Sequence, residues 1–280
     1  MGYSFRLKMS QGSWREVLQR LQPMMPPDLR VMLEQPEKGS KSNAPPLLVL
    51  FRDRLSTRGV ELLEGGDSLT ARIPAFATPE DVTLGLQIAK ASAELLQSKV
   101  ETLDGELEPA ELLGAKLSEP MSRAQSGDLS ALNAAASKGN TQLLPGAVRP
   151  FFIGPRLFGE LGASTVHQGL FENVVAKFRE VQWAHLRGYQ PATIIGLRKG
   201  ATEFTASAWA PGQAALFQPV DMLLLKAVGQ PMRLPWAGLA SVAQNRMQLL
   251  DEKQVLVDAF TEAEWPELIA RAGNVLGAKN

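Results

Sequence analysis

Residues 3–9 alternate in hydropathy, with Tyr3, Phe5, Leu7 and Met9 set against Ser4, Arg6 and Lys8, the period of a short half-buried strand. The period then lengthens. Trp14, Val17, Leu18 and Leu21 fall on one helical face, and Ser13 with Glu16 forms a capping box ahead of them. Pro23, Pro26 and Pro27 end that helix, and the polar run from 34 to 46, EQPEKGSKSNAPP, reads as an exposed, mobile loop. Residues 47–51, 59–63 and 68–73 are strand candidates in a meander, with Gly65, Gly66 and Asp67 turning the chain between the last two. The clearest helix starts at Thr78 as N-cap, with Pro79 at its first position and Glu80 and Asp81 against the positive end of the dipole. Its apolar stripe is wide: Val82, Leu86, Ala89, Ala93 and Leu96 lie on one side and Leu84, Ile88 and Leu95 on another. Such a stripe predicts cover on more than one side.

Between 118 and 146 large apolar residues thin out in favour of Ser, Ala, Gly, Asn and Gln. This stretch reads as a connector between an N-terminal α+β half, 1–117, and a C-terminal α+β half, 147–280. Within it, 127–140 predicts a short helix capped by Asp128 and stopped by Gly139. The string VRPFFIGPRLFGELG, from 148, reads as a buried strand followed by a turn, and a helix over about 166–186 follows, with Phe171, Val174, Val175, Phe178 and Val181 at helical spacing. TIIGLRK, TEFTASA and QAALF then predict a three-stranded meander turning at Gly200 and at Pro211-Gly212, and VDMLLLK adds a strand. QVLVDAF and a last helix carrying Leu268, Ile269, Ala272, Val275 and Leu276 close the chain. The fold class is α+β: two halves, each a mostly antiparallel sheet with a long packed helix.

Composition narrows the function classes. At 280 residues, 45% hydrophobic and 21% charged, the chain has the make-up of a folded protein with a real core. Twenty-nine basic residues balance twenty-nine acidic ones, so no global field draws it to nucleic acid or anionic lipid. Cysteine is absent, which removes disulfides, thiolate nucleophiles and metal–thiolate centres. No apolar run approaches a bilayer-spanning length, the start lacks a secretory signal, and Arg6 stands where N-myristoylation wants Ser or Thr. A cytoplasmic location without membrane or nucleic-acid partners is the expectation.

Catalytic signatures are sparse. GPRLFGEL, 154–161, spaces Gly154 and Gly159 as a phosphate-binding loop does, but Glu160 and Leu161 replace the lysine and hydroxyl that such a loop uses on phosphate and magnesium. His167 and His185 sit about 27 Å apart if both belong to one helix, too far to share a metal. His185 continues an apolar face and reads either as a hydrogen-bonded, half-buried histidine or as a catalytic group. Nucleophile elbows, zinc-protease motifs, calcium loops and dinucleotide glycines are all missing. Carboxylates brought together by folding leave no local signature, so Asp53, Asp81, Asp221 and Asp258 stay open for an alternative in which carboxylates or His185 converge in an interdomain cleft of a hydrolase-like enzyme. Asp221, just before a strand, reads as a turn residue capping it or as a catalytic acid. No cofactor or metal is expected.

Surface patterning gives more. ETLDGELEPAEL gathers Glu101, Asp104, Glu106, Glu108 and Glu111 without a basic residue among them, either a solvated loop or a complement to a cationic groove. Arg52, Arg54 and Arg58 cluster too, but Asp53 interrupts them and no aromatics accompany them for base stacking. Trp209, beside a predicted turn, is an interface anchor if exposed and cover for the sheet end if buried. Trp265 reads as a staple at the start of the last helix.

In its general layout, and most of all in VRPFFIGPRLFGEL, the helix after it and PVDMLLLK, the chain resembles immunity proteins that bacteria keep against toxins of type VI secretion and related polymorphic-toxin systems. The resemblance implies a non-catalytic cytoplasmic inhibitor that occludes or distorts one cognate protein toxin by direct contact; it transfers no functional residues. Glu101, Asp104, Glu106, Glu108, Glu111 and Trp209 are the candidate partner-binding residues. A structural subunit of a secretion or phage-like assembly is the further alternative.

Overall fold

A computed structural model describes residues 2–9, 14–34, 47–163, 169–200 and 202–277. Ser13 of the expected capping box, the polar run from 35 to 46 and His167 lie outside these residues. The fold is α+β, and the chain divides into two compact units, Met1–Gln182 and Trp183–Asn280.

The first unit is built on a seven-stranded, wholly antiparallel sheet. Its members in chain order are β1 (Tyr3–Lys8), helix α1 (Trp14–Leu21), β2 (Leu29–Glu34), β3 (Leu47–Arg52), β4 (Val60–Gly65), β5 (Ser68–Ile73), helix α2 (Pro79–Leu96), β6 (Val100–Thr102) and β7 (Gly105–Leu107). The spatial order is β2-β3-β4-β5-β1-β6-β7. The alternation seen in the sequence decides the faces: Tyr3, Phe5 and Leu7 are buried while Arg6 and Lys8 point to water. Leu69, Ala71 and Ile73 repeat the pattern on β5. At β3 three consecutive residues, Leu48, Val49 and Leu50, are buried, so both faces are covered there. Glu61, buried on β4, is held at 3.1 Å by Arg72 directly opposite on β5.

α2 starts where the sequence places it. Thr78 accepts from the Asp81 N–H at 3.1 Å and the Asp81 carboxylate accepts from the Thr78 N–H at 3.3 Å, a reciprocal capping box. The same carboxylate oxygen accepts from the Thr57 N–H at 3.0 Å, and the Thr57 hydroxyl donates to the Phe76 carbonyl at 2.8 Å. Asp81 therefore ties a loop of the sheet to the helix start, and that role accounts for its burial. Leu84, Ile88, Ala89 and Ala93 face the core, and the wide stripe finds its second cover in Leu112, fully buried in the 3-10 turn Pro109–Leu113. Gly85 lets the helix sit close on the sheet: a Cβ there would lie 2.5 Å from Ile73 Cγ1.

Most of the expected connector is helical. α3 (Ser118–Ser137) begins well before the short helix expected there, and it lies within the first unit. Asp128 is then mid-helix rather than its cap, buried, with the Gly2 N–H donating to it at 3.4 Å. Gly139, at φ +77°, ends the helical stretch as its sequence position suggests. A two-stranded ribbon of β8 (Gln142–Leu144) and β9 (Phe151–Ile153) follows. Beyond β9 the expected turn is instead α4 (Pro155–Ala163), because Pro155 supplies the φ of a first helical residue as readily as that of a turn. Leu157 points inward, and Arg156 bridges Glu160 at 2.8 Å along the outer side. α5 (Leu170–Gln182) carries Val174, Val175, Phe178 and Val181 into the core, with Phe178 stacked on Phe151 at 4.6 Å. Gln182 ends it in full burial, accepting from the backbone of Val148 and Arg149 and donating back to the Arg149 carbonyl.

The second unit holds two four-stranded, mostly antiparallel sheets. In chain order its elements are β10 (Gln190–Pro191), β11 (Ile194–Lys199), β12 (Thr202–Trp209), β13 (Ala215–Phe217), β14 (Met222–Leu225), β15 (Met232–Pro235), α6 (Leu239–Ala243), β16 (Met247–Leu249), β17 (Val255–Val257) and α7 (Trp265–Gly277). The expected three-stranded meander does not form. β11 and β12 pair antiparallel, but the next neighbour of β12 is β14, in parallel, while β13 joins β10, β17 and β16. After Trp209 the Pro211-Gly212 turn is pinned to another part of the unit, its Gly212 N–H donating to the Phe260 carbonyl at 2.7 Å, and this carries β13 away from β12. Leu223, Leu225, Leu234, Val257 and Leu268 form the core of this unit.

Candidate interaction surface

The five acidic candidates share one small element of the first unit. β6 and β7 form a hairpin at one edge of the sheet, turning through Leu103 and Asp104 into Gly105, which at φ +121° takes a backbone shape that side chains disfavour. The turn is fixed in place. The Thr102 hydroxyl donates to the Gly105 carbonyl at 2.8 Å, Tyr3 Oη donates to one Asp104 carboxylate oxygen at 3.1 Å, and Arg123 from α3 grips the other at 2.7 Å. Burial, and then the Asp104 carboxylate, hold the Tyr3 phenol above its usual pKa of 10, so it stays a hydrogen-bond donor.

Folding changes the electrostatics read from the sequence. The acidic run has no base of its own, yet bases arrive from elsewhere: Lys8 meets Glu101 at 3.2 Å, Lys99 meets Glu108 at 3.0 Å, Lys116 meets Glu111, and Arg123 meets Asp104. Hydrogen bonding from Lys116, then from the Glu108 N–H, lowers the Glu111 carboxyl below its usual range, and Glu108 raises the Lys99 ammonium. Glu106, exposed like Asp104 and Glu108, differs from the other four in that, among the described residues, it lies in no ion pair. It stands directly opposite Glu101 in the ladder, a like-charge pair that disfavours the hairpin and that an incoming cation relieves.

The residue that the acidic pattern hides is Leu103. At the very tip of this pinned turn it is 86% exposed, between acids on either strand. Its signal in the sequence is an apolar residue directly before Asp-Gly between two short strand-like runs, TLDGE. Further along the same segment Leu113, 55% exposed, rims an open groove of about 260 Å³ with Leu21, Met25, Leu84 and Ile88.

Trp209 does not belong to any surface. It is 3% exposed, and its ring meets Phe217, Phe260 and Trp265 edge-on at 5.6, 5.8 and 5.5 Å. Of its two readings the buried one holds, because the inward face of β12 places it among the aromatics of the second core. Trp265, the expected staple, starts α7 and donates its indole N–H to the Lys226 carbonyl at 2.7 Å.

The candidates for chemistry are dispersed among structural roles. His185 lies outside α5, half-buried in the 3-10 turn Ala184–Arg187, with its ring 6.0 Å from that of Trp183. Asp53 pairs with Arg30 at 2.9 Å, and Asp258 accepts from Tyr189 Oη at 2.7 Å. Asp221 accepts from the Thr205 N–H at 2.6 Å and hydroxyl at 3.0 Å, bonds that lower its pKa and lock the start of β14 to β12. Among the described residues no three His, Asp or Glu gather to hold a metal ion, and no helix is long and apolar enough to cross a membrane. Comparison with protein-family models, curated proteins and solved structures finds no match.

Proposed function

We propose that this chain is a non-catalytic binding protein that acts by direct contact, presenting the β6–β7 hairpin to a cationic, apolar-floored cleft of a partner protein. The observation that carries this reading is Leu103, an almost fully exposed apolar side chain on a turn already fixed by Tyr3, Thr102 and Arg123. A pre-formed turn has lost its conformational freedom before binding, so more of the contact energy appears as affinity. An apolar centre with a polar, charged rim is also the anatomy of a protein interface. Glu106, facing Glu101, adds demand for a positive group, which selects the partner more than it tightens the complex. In the setting that the family resemblance implies, the partner is a bacterial toxin whose cleft the hairpin occludes, and the inhibitor works in the cytoplasm alongside it.

The test is cross-linking of the native chain in its source cells, with the captured protein identified and its contact peptides mapped. Cross-links concentrate in 100–113, and Leu103→Asp or Glu106→Lys weakens the isolated complex at least about tenfold while the melting temperature stays put, since both positions are exposed. Capture by both variants equal to that by the natural chain, or turnover of a small molecule by the purified chain alone, overturns the reading.

A further inference from the structure

The two edges of the seven-stranded sheet are unlike. β7 is three residues long and bears Glu106, whereas β2 is six residues long and, among the described residues, no strand pairs with its outer side. Natural sheets guard such edges with charge, proline or a covering element. Here Val31 and Leu33 stand opposite Leu50 and Leu48 of β3, yet they are 58% and 46% exposed where their neighbours are buried. Among the described residues, the core-facing side of the sheet thus runs out to the edge without cover, and Leu29, Val31 and Leu50 line an open groove of about 480 Å³ with Leu18, Met25 and Pro26. The sequence that follows β2, QPEKGSKSNAPP at 35–46, is polar, with one alanine and three prolines as its apolar residues.

We propose that β2 takes the β2 of a second copy of this chain, antiparallel, about a two-fold axis normal to the sheet. Such an axis keeps every residue on its own face, so only registers that pair positions of equal parity are allowed. Centred on Val31, the register sets Val31 against its own counterpart, Leu29 against Leu33 and Arg30 against Met32. Every pair on the core side is then apolar; at each end Glu34 comes opposite Asp28 of the second copy, whose charge Arg52 of its own chain already offsets at 3.1 Å. Centred one residue earlier, it would set two Arg30 side chains face to face. Arg30 needs no partner from the second copy, because Asp53 of its own chain holds it at 2.9 Å. The junction is small: five residues of β2 a side bury well under the roughly 1,200 Å² of stable complexes, so the dimer is weak and concentration-dependent. It uses the edge opposite the hairpin and stands independently of the function proposed above.

The absence of cysteine makes the test clean, because Val31→Cys introduces the chain's single thiol. Sedimentation equilibrium of the full chain from about 1 to 300 µM shows a monomer–dimer equilibrium with a micromolar dissociation constant. Val31→Lys raises that constant at least about tenfold without changing the melting temperature, since it opposes two cations at an exposed site. Under mild oxidation Val31→Cys yields a disulfide-linked dimer, while Leu143→Cys, a 54%-exposed control on another ribbon, stays monomeric. A chain that is monomeric throughout refutes the proposal. So does a dimer that Val31→Lys leaves intact, cross-linking no faster at 31 than at 143, or an edge that is occupied by a different polypeptide alone.

Discussion

Trp209→Ala distinguishes a core residue from a binding residue in a single experiment. Truncating a fully packed indole costs about 3–5 kcal/mol through lost transfer energy and the cavity left behind. Three edge-on aromatic neighbours, at 5.5 to 5.8 Å, place this site in the upper part of that range. One opposing effect can be read from the structure: among the described residues the buried Trp209 Nε1–H has no acceptor. Deleting an unsatisfied donor returns about 1–3 kcal/mol. The balance is a loss of about 3 kcal/mol, which for a unit of this size lowers the melting temperature by roughly 15 °C.

Trp209→Phe isolates the second effect. It keeps a ring among Phe217, Phe260 and Trp265 and removes the orphaned N–H, so the smaller ring and the relieved donor nearly offset, and the variant unfolds within about 1 kcal/mol of the natural chain. Urea unfolding of all three proteins, followed by far-ultraviolet circular dichroism, reads both numbers. A Trp209→Ala protein melting within about 3 °C of the natural chain would falsify the buried assignment and return Trp209 to the binding surface.

Asp81→Ala strips the acceptor from two backbone donors, the Thr57 and Thr78 N–H groups, and is expected to cost about 2–4 kcal/mol in a urea titration, whereas Asp81→Asn, which keeps an acceptor oxygen, costs less. At the start of α7, hydrogen bonds from the Thr261 N–H and hydroxyl and from Arg246 lower the Glu264 carboxyl from 4.5 to about 2. A carboxyl depressed in the folded state stabilises above its unfolded pKa, so the Glu264 contribution is complete above about pH 4.5 and drains away as pH falls toward 2. Unfolding midpoints taken across that window fall further for the natural chain than for Glu264→Gln, and the gap narrows in high salt; parallel curves would show that the carboxylate is not engaged.

Local signals were readable where one short stretch decides the outcome. Thr78-Pro79 with Asp81 announces the start of α2, and the alternation of Tyr3, Phe5 and Leu7 announces β1, because capping and pleat are set within a few residues. GPRLFGEL failed at the same scale for a physical reason: Pro155 fits a turn and a first helical turn equally, and what selects the helix is the inward packing of Leu157, which no neighbour in sequence reports. The lost meander is a longer-range failure. Hairpin connection between β12 and β13 is the local default, and the hydrogen bond from Gly212 to Phe260, nearly fifty residues away, overrides it.

The candidate surface was half legible for a related reason. Charge is additive along the chain only until folding brings other charges in: Lys8 and Arg123, from outside the segment, join the nearby Lys99 and Lys116 to turn a run of five acids into a nearly balanced patch with Glu106 as its open member. Exposure of an apolar residue is likewise a property of the assembled sheet, so Leu103 and Val31 look in sequence like the leucines and valines of the core. Both lie at opposite rims of the same sheet, and the rims are built for different company. A short, pinned, acidic hairpin resists strand addition and offers a side chain, whereas β2, long and with a core-side row of Leu29, Val31 and Leu33, offers its backbone. The two proposed associations therefore use separate rims and are compatible on one molecule, and the Val31→Lys and Leu103→Asp variants are each expected to weaken one and leave the other unchanged.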